Sequence, residues 1–430
     1  MTVVELSDLV TPERFRAAFA GPGVFVLEDD AQCLMSAEPT EIIRVDRRDG
    51  GDPFEPLRRA LSTVAGGPAS RSPFPFPFRA GLVGYVGYEC GQLLERMPNR
   101  ARTSLGLPDL AFGLHRWVIG TRGGKSWLAT LDEPGHVLER LASGGTERAR
   151  PAHAGRRAEP RAWLSREEYL ARVATAKEHI LSGDAFEICL TTAFDVPFER
   201  AEAWALFRAL RRRNPAPFAA FLELPEATIV SSSPERFLSL DGDRVAETRP
   251  IKGTRPRGTT PEEDARLREE LRASEKDRAE NAMIVDLSRN DLGRVCEVGS
   301  ITAPDLYAVE SYATVHQLVS TVRGKLAPQR DALDLLRAAF PPGSMTGAPK
   351  IEAMRILEAL EPVERGIYSG ALGWIDASGT MDLSVVIRTA ICANGLARFH
   401  AGGAVTADSD PAAEYAEMQQ KTRALREALG

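Results

Sequence analysis

From Ser165 onward the chain alternates helix-start signals with β-branched runs, and this alternation restricts it to a mixed α and β fold. Ser165-Arg-Glu-Glu168 is a capping box, in which serine and glutamate side chains each satisfy the other residue's backbone N–H. It predicts a helix through about Leu181. Ala185 to Phe194 reads as a strand. A second box, Thr260-Pro-Glu-Glu263, puts Pro at the first helical position and predicts one long helix reaching about Leu287. Tyr312 to Val322 has the β-branched content of a strand. Asp410-Pro411 caps a final helix running to the C-terminus. The strands need not be parallel, and no repeat points to a solenoid.

Residues 143–163 are rich in Gly, Ala, Pro and Arg and have no apolar period, so a flexible connector is expected there. It separates an N-terminal region, residues 1–142, from a C-terminal region, residues 164–430. In the first region Gly23–Leu27 and Ser126–Thr130 suit strands bounded by turn residues. Between them, Phe74-Pro-Phe-Pro-Phe78 precedes Gly81-Leu-Val-Gly-Tyr-Val-Gly-Tyr-Glu89. Those glycines fall at intervals of three, which fits neither GxGxxG nor a P-loop. A strand with close backbone approach is the better reading.

The net charge of −6 lacks the basic patch of a nucleic-acid binder, so no nucleic-acid partner is expected. Five cysteines without CxxC spacing indicate neither zinc nor a disulfide framework. The acidic start is unlike a signal peptide, and no apolar run reaches the ~18 residues of a membrane span. A cytoplasmic protein with no membrane partner is expected.

Chemistry is suggested first by Lys252. The chain has seven lysines against 47 arginines, yet keeps Lys in Glu247-Thr-Arg-Pro-Ile-Lys-Gly-Thr254. Arginine stays charged, whereas a desolvated lysine can lose its proton and attack carbon. Glu414, Glu417 and Lys421 share one face of the final helix. Alone, that pattern reads as a solvated face; two carboxylates there could also serve a hard cation. Glu280 precedes the apolar Met283–Leu287 stretch by a turn and could point into a cleft, or simply pair with Lys276. Glu235 follows Pro at a strand-to-turn boundary, either as a surface acid or as a general acid with a pKa raised by burial. His316 lies among Val and Leu, where a satisfied core histidine is the usual finding. Phe340–Lys350 is a Gly/Pro-built loop before a helix, Ile351–Leu360, whose start could meet an anion. Arg388 ends an apolar strand and needs a partner, such as a carboxylate held bidentately.

Taken together and in this order, the segments of residues 165–425 resemble the chorismate-utilising enzymes. The resemblance implies a mixed α/β fold in which two large antiparallel sheets pack together with helices outside. The Gly-Tyr-Val-Gly-Tyr-Glu segment is similar to the longer members, so residues 1–142 would be an anthranilate-synthase-component-I-like region and 164–430 the chorismate-binding catalytic region. It further implies Mg2+ as cofactor, with Glu280 and Glu417 as ligands and Glu414 reaching the ion through water. Arg388, Tyr368 and Lys421 would bind carboxylates, helped by the backbone of Gly402 and Gly403. Ala404 departs from the family's usual glycine. Glu235 would protonate the departing C4 hydroxyl, with His316 and Thr254 beside the ring.

Lys252 in Pro-Ile-Lys-Gly-Thr resembles the aminodeoxychorismate synthase component I branch; the anthranilate, isochorismate and salicylate branches resemble one another in carrying Ala there. Glu187, in a substrate-side position, differs from the Lys of water-using relatives and the Gln of many amine-using ones. The implied reaction converts chorismate and ammonia to 4-amino-4-deoxychorismate, a precursor of 4-aminobenzoate and folate, through a Lys252 adduct at ring C2. Burial is expected to lower the lysine pKa from its reference of about 10.4. No Gly-x-Cys-x-Gly-x-Gln segment is present, so a separate glutaminase subunit would supply ammonia. The alternatives are anthranilate synthase component I and a non-catalytic chorismate- or tryptophan-sensing subunit, the second disfavoured by the intact acidic set. The N-terminal region could bind an aromatic effector, although Leu27-Glu-Asp-Asp30 lacks a Leu-Leu-Glu-Ser-like signature.

Overall fold

Alternating apolar and small residues pair the strands of this chain into two sheets, one of twelve strands and one of ten among the described residues. The computed structural model describes residues 1–64, 74–95, 97, 104–144, 159–313 and 315–430. Within these, every pairing between named strands is antiparallel. The larger sheet runs from Thr2–Leu6 at one edge to Gly347–Ala348 at the other. At its middle Phe25–Glu28 pairs with Phe218–Glu223. In the smaller sheet Gly81–Val86 pairs with Ala371–Asp376. Strands from residues 1–142 and from 164–430 thus lie in both sheets.

Three layers of apolar side chains hold the sheets. Phe25, Ile229 and Ile391 of the larger sheet meet Val83, Tyr85 and Leu372 of the smaller one in a buried cluster between them. Phe194 and Phe399, on the outer face of the larger sheet, pack in one cluster with Val173, Leu206 and Met418 of three helices. Leu238 and Leu383 of the smaller sheet cluster with Leu57, Val285 and Leu335. Burying such side chains removes about 25 cal/mol per Å2 of apolar area from water, the main favourable term for a fold of this kind. This is the expected mixed fold with two antiparallel sheets and helices outside.

Local signals mostly hold. Glu168 N donates to Ser165 Oγ (3.2 Å) and Ser165 N to the Glu168 carboxylate (2.8 Å), opening the helix Arg166–Leu181. The final helix is Pro411–Leu429, capped by Asp410. The predicted strand at 185–194 is Glu187–Pro197. The expected single helix from Thr260 is two, Pro261–Ala273 and Glu275–Gly293. They break at Ser274, whose extended backbone and hydroxyl cap the second helix by accepting from Asp277 N (3.3 Å). The predicted strand 312–322 is Val315–Lys325, which pairs with a preceding strand, Thr302–Ser311, that the sequence reading did not mark. Gly84 packs so closely on its neighbour that a Cβ would overlap the Ala111 carbonyl, in keeping with a strand rather than a phosphate loop. Of the expected connector, residues 145–158 lie outside the described residues. All five cysteines are buried and none is in a disulfide. No helix of the described residues is long and apolar enough to cross a membrane.

Candidate active site

The strand Ile251–Pro256 carries Lys252 inward, because pairing with Val315–Lys325 slips register between Ile251 and Thr254. Gly253 sits in this bulge at φ +83°, a backbone conformation suited to glycine. Regular alternation would place Thr254 on the same face as Lys252. The bulge breaks it: Lys252 is buried and Thr254 is exposed, away from the buried group.

Lys252 Nζ donates to Glu187 Oε1 at 2.7 Å. The pair bridges the two sheets, since Glu187 begins the strand Glu187–Pro197 of the larger one. Glu187 is 0% exposed. Burial alone pushes the Lys252 pKa down, as expected from sequence. The Glu187 and Glu280 carboxylates outweigh it, and the net shift is upward. The free enzyme therefore holds Lys252 as an ammonium, which corrects the expectation of a neutral amine.

Glu235 lies between the strands Thr228–Ser233 and Arg236–Leu240, with its carbonyl accepting from Val385 N (3.0 Å). Burial pushes its carboxyl up to about 7; the Ser344 hydroxyl, Lys252, the Ile251 N–H and Arg388 pull against that shift. A carboxyl at this value is partly protonated at neutral pH and suits proton donation. Arg388 occupies the link between Met381–Val385 and Thr389–Ala393 at φ +50°, with burial lowering its pKa and Glu235 opposing. Ser344, unremarked in the sequence, thus belongs beside the acid. Its position in Pro-Pro-Gly-Ser-Met was the available signal.

Two acids meet at a second locus, with a third, on the final helix, turned away. Glu280, on Glu275–Gly293, has its pKa raised to about 7 by burial. Glu414, on the final helix, is raised by burial and accepts from Ser409 Oγ (2.8 Å). Lys276 Nζ stands 3.8 Å from Glu280 and 4.0 Å from Glu414, so the two carboxylates face one cation. Glu417 is turned to Lys421 instead (2.8 Å), which lowers its pKa. Among the described residues no three metal-ligating side chains converge closely enough to hold an ion by themselves.

The strand Leu396–Val405 runs against Glu187–Pro197, and a Cβ at Gly402 would overlap the Leu190 carbonyl. A Cβ at Gly403 would lie 2.7 Å from Glu414 Oε2. Lys421 Nζ donates to Gly402 O (3.0 Å). Tyr368 is buried and stacked on His400, with ring centroids 4.9 Å apart. His316 is buried with both ring nitrogens engaged, Nδ1 to Ser311 Oγ (2.7 Å) and Nε2 to Asp264 (3.0 Å). It is a satisfied histidine here, as its surroundings suggested.

Behind these groups lies a network absent from the sequence reading. Arg365, 1% exposed, donates to both Glu361 oxygens (2.9 and 2.7 Å), Met345 O (2.6 Å), Cys189 O (2.7 Å) and Ser369 Oγ (3.2 Å). The Glu361/Arg365 spacing of four resembles an ordinary surface pair, so nothing local announced it. A separate cavity of about 380 Å3, lined in part by Glu28, Asp29, Arg236, Arg249 and Tyr312, lies on the other side of Ile251.

Anthranilate synthase component 1 of Streptomyces coelicolor is 40% identical over 464 residues, covering 99% of this chain and 87% of the relative. Aminodeoxychorismate synthase of Streptomyces griseus is 44% identical over 375 residues and 83% of this chain. The match takes in only 51% of that relative, so this chain spans about half its length. The crystal structure of anthranilate synthase component I from Streptococcus pneumoniae superimposes with a TM-score of 0.79 at 27% identity, covering 98% of this chain and 99% of that one. The model of the chorismate binding enzyme family matches residues 23–427, and the chain belongs to that family.

Proposed function

We propose that the chain is an aminodeoxychorismate synthase component I, converting chorismate and ammonia to 4-amino-4-deoxychorismate for 4-aminobenzoate and folate synthesis. The observation that carries it is the Lys252 ammonium, buried among acids and electrostatically coupled to the Glu235 carboxyl. Only a lysine there offers a nucleophile, and only a raised carboxyl offers a proton to a leaving hydroxyl at neutral pH. Lys252 attacks ring C2 as its proton leaves, the double bonds shift, and the C4–O bond breaks with a proton from Glu235. Ammonia then forms the C4–N bond and Lys252 leaves C2. Arg388, Lys421 and Tyr368 would orient the substrate's carboxylates, and His316, held by Ser311 and Asp264, would wall the ring.

Mg2+ fits this chain's own residues. Glu280 and Glu414 already face a common cation, Lys276, and burial leaves both short of compensating charge. Mg2+ prefers one or two carboxylates completed by water and substrate oxygens, so the lack of a three-residue cluster is no obstacle. Glu280 and Glu414 would hold it, with Glu417 once released from Lys421. When bound, the ion would neutralise a substrate carboxylate.

A separate glutaminase subunit would supply the ammonia; the name component 1 carried by the Streptomyces coelicolor relative supports this. Five buried thiols, none in a disulfide, support a reducing, cytoplasmic setting. The second reading, anthranilate synthase component I, is favoured by that same relative's name and opposed by Lys252. Product analysis with chorismate, Mg2+ and an ammonium salt separates them. 4-Amino-4-deoxychorismate is expected; anthranilate as main product refutes the proposal. Lys252→Ala should lose most of the rate while keeping chorismate binding.

A further inference from the structure

We propose that Glu187 is the base that takes the Lys252 proton when the amine attacks the ring and returns it when the amine departs. This rests on the covalent reading above. Glu187 Oε1 accepts the Lys252 hydrogen bond at 2.7 Å, and the carboxylate is wholly buried. Its other oxygen, Oε2, is buried without a hydrogen-bond partner among the described residues.

A second buried carboxylate shows what a structural role looks like here. Glu361 accepts four hydrogen bonds, from Thr191 N, Thr191 Oγ1, Arg365 Nε and Arg365 Nη2. That many donors hold its charge in place. Among the described residues the one hydrogen bond to the Glu187 carboxylate comes from the group it would deprotonate. An oxygen shut off from water and unpartnered is costly as part of an anion, and accepting a proton relieves that cost.

The other titratable groups facing Lys252 are Cys189, Glu235, Glu280 and Glu417. Glu235 is committed to the C4 hydroxyl, and none of the four has a hydrogen bond to Nζ within the described residues.

The protons balance. In the first step the C2–N bond forms, the C4–O bond breaks and water leaves with the Glu235 proton. Lys252 becomes a secondary ammonium and Glu187 becomes neutral. In the second step ammonia bonds to C4 and the C2–N bond breaks. The freed Lys252 amine takes back the Glu187 proton, and the new C4 ammonium gives one to Glu235. Both acids return to their starting states with no net exchange with solvent.

The test is the rate of Lys252 adduct formation, followed by intact mass with chorismate and no ammonia. Glu187→Gln keeps the side-chain shape and should bind chorismate normally. Its adduct should form at least about 100-fold more slowly at neutral pH, the usual scale for a lost general base. Glu187→Asp keeps a carboxylate one methylene shorter and gives a check independent of the Gln variant's folding: it should recover part of the lost adduct rate. Equal adduct rates in wild type and Glu187→Gln, or a Glu187→Asp adduct as slow as that of Glu187→Gln, overturn this role for Glu187 alone. No adduct on wild type, with Lys252→Ala fully active, overturns the covalent reading and this role together.

Discussion

Arg365→Ala tests whether the buried network behind the site is what holds its two arms together. The guanidinium binds Cys189 O, two residues from Glu187, and Met345 O, next to Ser344. Removing it leaves Glu361 buried with its charge met only by Thr191 N (2.9 Å) and Thr191 Oγ1 (2.8 Å). An uncompensated buried charge of this kind costs about 3–5 kcal/mol. Each carbonyl left without a donor adds about 1–3 kcal/mol, less whatever entering water restores. The low ends of these ranges total about 5 kcal/mol. At about 2 °C per kcal/mol for a large chain, the thermal midpoint should fall by about 10 °C. Glu361→Gln with Arg365→Met removes both charges, so that double variant should recover at least half of the loss. The assay is thermal unfolding followed by circular dichroism at fixed scan rate, which keeps the comparison valid if unfolding is irreversible. An Arg365→Ala midpoint within about 2 °C of wild type refutes the reasoning. A double variant as unstable as the single one shows that the orphaned charge does not set the cost.

Because Glu235 must be protonated to act and its carboxyl is raised to about 7, turnover should fall as pH rises through that value. A pH–rate profile flat through pH 7 and beyond would remove Glu235 from the acid role. Glu280→Ala and Glu417→Ala should each abolish Mg2+-dependent chorismate binding with little loss of folding; unchanged titration calorimetry in both variants would place the ion elsewhere. Gly402→Ala drives a methyl group into the Leu190 carbonyl and should destabilise the chain by about 1–3 kcal/mol, read as a lower thermal midpoint. An unchanged midpoint would mean that the two strands can separate there freely.

What the sequence revealed was whatever is decided within a few residues. The Ser165 capping box and the Asp410-Pro411 start are local contracts between side chain and backbone, and the helices begin there. Ser274-Glu-Lys-Asp277 was an equally local signal, but it lay inside a long run of good helix formers that hid it. Thr254 left the buried group because one bulge at Gly253 reverses every side chain beyond it, and a bulge depends on the partner strand. A raised carboxyl at Glu235 was legible only as one of two readings, because its sequence neighbours Ser231-Ser-Ser-Pro and Arg236 are not hydrophobic and the fold, not the local sequence, buries it. Lys252 shows the same limit. Burial does lower its proton affinity, yet its charge state is set by Glu187, 65 residues away and in the other sheet. Desolvation is the largest single influence on the amine, and it takes Glu187, at 2.7 Å, together with Cys189 and Glu280 to outweigh it. A lysine in a motif therefore announces a nucleophile, but whether it rests as amine or ammonium is decided by whichever acid the fold brings to it.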